Sequence, residues 1–204
     1  MDQQAATADL DYIRDVVRKT HARIDTHAFH TVWWGALVLV WYPLSNWLQN
    51  RELFTWMAGV IAGAMVLGFL GSFLLEFRLR FKPRLKGENT FIARQAILIV
   101  YANIAGACVL SALGPDTGFI AGPNVPIIWG LAYANIAFML GVVYTREYLV
   151  AGLAIFLGAA LAILFQRYAG YILGPFMGLG MIIPGVMGER RVRRLMREDE
   201  QEQL

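Results

Sequence analysis

Residues 149–166 read LVAGLAIFLGAALAILFQ, a run without one charged side chain. Coiled as an α-helix, this run extends about 27 Å, close to the roughly 30 Å hydrocarbon thickness of a bilayer. Its apolar residues are continuous and do not alternate with period two, which disfavours a membrane β-strand. Five further segments read the same way, at about 31–49, 54–75, 92–113, 125–144 and 169–187. Each is long enough to span. Segments five and six are separated by only Arg167 and Tyr168, so a tight turn between two spans competes there with a single re-entrant element.

Composition supports the membrane reading. Of 204 residues, 57% are hydrophobic and only 16% charged, and the mean hydropathy is +0.49, which is too apolar for an ordinary soluble domain. Six spans leave little chain for a soluble catalytic domain. The single cysteine, Cys108, excludes an intramolecular disulfide or a multi-cysteine metal or iron–sulfur site. The first 30 residues mix Arg14, Arg18, Lys19 and Arg23 with Asp2, Asp9, Asp11, Asp15 and Asp25 and hold no apolar core, so no cleavable signal peptide is expected. The net charge of +3 does not argue for nucleic acid, because the basic residues cluster at the ends of apolar segments.

Those clusters set the expected orientation. With both termini cytoplasmic, only Arg51 and Arg167 of the 18 basic residues fall outside, as the positive-inside rule favours. Trp33 and Trp34 then lie at the inner interface, and Trp47, Trp56 and Trp129 at the outer one. Ahead of the first span, residues 9–24 place Leu10, Ile13, Val17 and Ile24 on one helical stripe among charges, which predicts an amphipathic cytoplasmic helix. Asp25 and Thr26 offer an N-cap for the span that follows. The expected architecture is an all-α, polytopic integral membrane bundle of about six transmembrane helices, preceded by that cytoplasmic helix. Its divisions are a cap region at 1–30, the bundle at 31–187, and a basic then acidic tail at 188–204, with the acidic 198–202 stretch expected to be solvated and disordered. A bacterial inner membrane is its expected home.

Four groups of residues are candidates for function. The pentapeptide Tyr101-Ala-Asn103-Ile-Ala recurs at Tyr133-Ala-Asn135-Ile-Ala, placing Asn103 and Asn135 near the middle of two antiparallel spans. An amide in hydrocarbon is unfavourable unless bonded, so the pair reads first as a helix–helix hydrogen bond and second as a polar transport site with Tyr101 and Tyr133. The sixth segment concentrates Gly174, Pro175, Gly178 and Pro184, which predicts a kinked or interrupted helix acting as a hinge or lining. His21, Asp25, His27 and His30 form the only metal-like constellation, matching no strong signature, so no cofactor is expected beyond a possible divalent metal. The basic runs Arg78, Arg80, Lys82, Arg84, Lys86 and Arg190, Arg191, Arg193, Arg194 fit anionic lipid headgroups.

Small-residue pairs, Gly59 with Gly63, Gly68 with Gly71, Gly152 with Gly158 and Gly174 with Gly178, predict close helix approach. No histidine lies in the middle of any span and no carboxylate lies deeper than Glu76 at the cytoplasmic end of the second, which weighs against bis-histidine haem ligation and proton-coupled transport. No phosphate loop or nucleophile elbow is present. The function expected is non-catalytic: an accessory, scaffold or regulatory subunit with lipids and other membrane subunits, or self-association, as partners. A small transporter or channel around the asparagines is the first alternative, and a metal- or pH-responsive sensor at the histidines the second.

Overall fold

The computed structural model describes residues 9–10, 12–13, 16–17, 28–80, 91–115, 117 and 124–202, without side-chain detail at 76, 78–80, 92–93, 195–196 and 198–202. Six long helices follow one another: α1 Ala28–Asn50, α2 Phe54–Arg80, α3 Phe91–Leu113, α4 Val125–Val143, α5 Arg146–Leu164 and α6 Ala169–Glu202. No strand occurs among the described residues. Five segments are long and apolar enough to cross a membrane: Phe54–Leu75, Arg94–Leu113, Val125–Val143, Arg146–Leu164 and Gln166–Arg194. The chain is thus a helical membrane bundle. The first helix differs from the expectation of six equivalent segments, because Trp33, Trp34, Trp41, Tyr42, Asn46, Gln49 and Asn50 lower its hydropathy. Much of that polar surface is turned toward neighbouring helices.

The central seam joins α1 to α6, the most extensive helix pair in the molecule. Glycines of α6 recur every four residues at Gly170, Gly174 and Gly178, so they share one face. A methyl group at Gly174 would stand 2.7 Å from the Pro43 ring, and one at Gly178 would stand 2.9 Å from Leu39 Cβ and 3.0 Å from the Gly35 carbonyl. Gly35 returns the contact, its own Cβ position lying 2.8 Å from the Gly178 carbonyl. Farther along, Gly185 meets Val32 and Ala28. The two helices run antiparallel with their backbones nearly touching, which gains dispersion contacts along the whole seam.

This packing corrects the expectation for the sixth segment. Helix α6 runs unbroken through Pro175 and Pro184. Each proline removes one backbone hydrogen bond, and dense packing on both sides holds the helix in register. Pro184 is fully buried, and Leu173 and Met177 are 0% exposed. Helix α5 fits the opposite flank through Ile155 and Ala159, and Gly158 receives the Phe176 side chain. Segments five and six are therefore two full helices joined by a single 3-10 turn at Gln166–Tyr168. The basic and acidic end is also helical, continuing to Glu202, because it consists of strong helix formers and carries a Glu189–Arg193 pair at 3.3 Å one turn apart.

Helices α2 and α3 flank this core, α2 mainly on α1 and α3 mainly on α4. The Trp33 and Trp34 rings sit against Gly71 and Gly68 of α2, Trp33 Nε1 donates to the Leu67 carbonyl at 3.3 Å, and Trp34 Nε1 donates to Ser72 Oγ at 3.1 Å. Both indoles dock against α2. Gly59 and Gly63 depart from expectation too: among the described residues, no atom outside the local helix lies within 4 Å of a Cβ at either position. The α1–α2 turn closes with Glu52 at φ 60°, its N–H bonded to the Gln49 carbonyl and that of Leu53 to the Leu48 carbonyl, a left-handed helix cap on a non-glycine residue.

Candidate functional site

Asn103 and Asn135 do meet. Asn135 Nδ2 donates to Asn103 Oδ1 at 2.7 Å, and Asn103 Nδ2 donates to the Ile99 carbonyl at 2.9 Å. The pair lies in a shallow α3–α4 groove of about 490 Å³, bounded by small or apolar residues such as Gly106, Ala107, Leu110, Ile128 and Leu131. The tyrosines of the repeated pentapeptide do not join them. Two residues along a helix turn the side chain through about 200°, so residues i and i+2 face apart. Tyr101 is 68% exposed, and Tyr133 packs into the core on the other side of α4.

Tyr133 instead opens onto a cleft of about 440 Å³ between α1, α2, α4 and α6. Helix α1 supplies Trp34, Val38, Trp41, Ser45 and Gln49, spaced three or four apart and hence on one face. Helix α2 supplies Phe54, Met57, Ile61 and Met65 with the same period, and α4 supplies Val125, Trp129 and Tyr133. Ala169 and Gly170 close one end, so the α6 contribution comes from its first turn and not from the 174–184 stretch. The cleft exists because α2 leans on α1 and leaves a gap toward α4. Its described lining residues are aromatic, aliphatic or uncharged polar. Ser45 Oγ is buried there without a hydrogen-bond partner.

Asn46 anchors the same end. It is 6% exposed, its Nδ2 donates to the Arg167 carbonyl at 2.9 Å, and its Oδ1 accepts from the Gly170 N–H at 2.7 Å. Asn50 Nδ2 adds a bond to the same Arg167 carbonyl at 3.3 Å. One amide thereby satisfies backbone groups that the α5–α6 turn leaves over. Sequence reading singled out the repeated asparagines and missed this one. The available signal was the polar series Tyr42, Ser45, Asn46 and Gln49, which follows helical spacing inside an otherwise apolar segment.

The remaining candidates distribute unevenly. His21, Asp25 and His27 lie outside the described residues, and His30 begins α1 with its ring 4.0 Å from that of Phe29. Lys82, Arg84 and Lys86 also lie outside, while Arg78 and Arg80 end α2. On α6, Arg191 is tied to Glu147 at 3.3 Å and lies over the Tyr144 ring at 5.6 Å, which joins α6 to the start of α5. Arg190 and Arg194 are exposed. Trp47 and Trp56 stand exposed near the α1–α2 turn, with Arg51 over the Trp47 ring at 4.5 Å, whereas Trp129 lines the cleft. The described residues of the amino-terminal segment are helical, and Leu10, Ile13 and Val17 are all exposed.

No known protein family matches this chain, and no curated protein or solved structure is significantly similar to it.

Proposed function

We propose that the chain is a non-catalytic subunit of a bacterial inner-membrane complex, crossing the membrane six times with both termini in the cytoplasm. In this reading α1 is the sixth crossing, since 23 residues extend about 35 Å and Trp33, Trp34 and Asn46 are hydrogen-bonded to α2 or to the α5–α6 turn and the start of α6. The placement of basic residues supports the orientation, leaving only Arg51 and Arg167 outside. One observation carries the assignment to an accessory, scaffold or regulatory role. Leu10, Ile13 and Val17, on one stripe of the amino-terminal segment, are exposed. An apolar stripe on the water side of the bilayer calls for a covering surface, and a partner protein provides it.

Purification of the full chain from native membranes at low detergent tests this. The expected result is a copurifying partner that is lost on the triple change Leu10→Asp, Ile13→Asp, Val17→Asp while the bundle keeps its melting temperature. A consistently monomeric protein without a partner would sink the proposal.

A small transporter or channel is the second reading, favoured by the open groove at Asn103 and Asn135. Here Asn135→Ala is expected to change flux in vesicles more than it changes stability.

A further inference from the structure

The cleft between α1, α2, α4 and α6 has the properties of a ligand site, and it stands independently of the partner proposal. Its volume of about 440 Å³ falls in the range of small-molecule pockets, about 300–1,000 Å³. Three features narrow the ligand class. No charged side chain among the described residues lines it, and a carboxylate, phosphate or ammonium would be desolvated against them without compensation. Its walls include Trp41, Trp129 and Tyr133, the last two in mutual ring contact at 6.2 Å, an aromatic surface against which a planar group can pack.

The third feature is Ser45, whose hydroxyl oxygen is buried with no partner. A buried polar atom left over in a folded protein calls for an explanation, and a ligand acceptor supplies one once the Ser45 side chain rotates its hydroxyl into the cleft. Gln49 follows one turn along the same face of α1 and brings a second donor. At the other edge, Met57, Ile61 and Met65 of α2 form an apolar, adaptable wall suited to a hydrocarbon tail.

We propose that this cleft binds an uncharged amphipathic molecule with a flat, carbonyl-bearing head and an apolar tail, the chemical class of membrane quinones. The head packs against the tryptophans with its carbonyl accepting from Ser45 and Gln49, and the tail runs along α2.

Calorimetric titration of the full chain in nanodiscs tests this, using a decyl-tailed benzoquinone as probe, with decanol and decanoate as comparators. The quinone is expected to bind saturably with one-to-one stoichiometry, decanol at least about tenfold more weakly, and decanoate not measurably. Ser45→Ala and Gln49→Leu are each expected to weaken quinone binding about tenfold. Ile61→Trp, which fills the cleft from its most adaptable wall, abolishes binding with the melting temperature retained, and Gly63→Ala on the open side of α2 leaves it unchanged. Decanoate binding as tightly as the quinone would overturn the proposal. So would a Ser45→Ala variant with wild-type affinity, an outcome that stays decisive even if Ile61→Trp fails to fold.

Discussion

The α1–α6 seam and the outer face of α2 are built from the same material, glycines four residues apart in apolar helices, yet only the seam is closed. Gly174 and Gly178 face Pro43, Leu39 and Gly35 at van der Waals limits, whereas Gly59 and Gly63 face nothing within 4 Å. The share of residues buried repeats the contrast, 44% over the α6 span against 11% over that of α2. A small-residue spacing permits close approach without specifying a partner. What specifies one is complementary shape and polar satisfaction on the facing helix, and α1 offers both through Gly35, Pro43 and Asn46.

That contrast can be broken experimentally. The largest effect is expected for Gly178→Leu, where a branched side chain must enter the seam. Overpacking of this kind costs about 3 kcal/mol or more, measured as a shift in an SDS unfolding titration followed by tryptophan fluorescence. A neutral result would mean that the seam is loose. Asn46→Ala comes next, because it strands the Gly170 N–H and takes a donor from the Arg167 carbonyl. The expected loss is about 2 kcal/mol, and a loss no greater than that of Asn50→Ala would remove Asn46 as the anchor.

The α3–α4 pair sits between the two extremes. Asn103→Ala and Asn135→Ala are expected to show a coupling of about 0.6 kcal/mol in a double-mutant cycle. Additivity would show that the 2.7 Å bond contributes nothing net. An effect of similar size and opposite sign belongs to Gly63→Ala, which relieves backbone entropy without any clash and is expected to stabilise α2 by about 0.5–1 kcal/mol. Destabilisation there would mean that another surface covers α2.

Helix positions were legible in the sequence because continuous apolar length is a one-dimensional signal. The helix at 54–75 was read to within its observed span, and the asparagine repeat correctly placed two amides near each other. Less legible was anything that depends on which face meets which helix. Gly59 with Gly63 and Gly174 with Gly178 look alike in one dimension, and nothing local marks Trp34 as docking on Gly68 while Trp56 stands 71% exposed. The cleft was invisible for the same reason, since its walls come from four helices and only their assembly creates it. The continuation of α6 to Glu202 was missed differently: charge was read as solvation, although Glu, Arg and Met are all good helix formers.

The bonds from Asn46 to Arg167 and Gly170 span 121 and 124 positions of the chain. At roughly 5–20 residues per second of translation, α1 therefore waits on the order of 10 s before its principal neighbour exists. During that interval its polar row, Tyr42, Ser45, Asn46 and Gln49, has only α2 and passing lipid or chaperone to face. Assembly of this bundle is a deferred event: the helix made first among the six is completed by the one made last. Any ribosome stall ahead of α6 leaves a half-polar helix exposed to quality control.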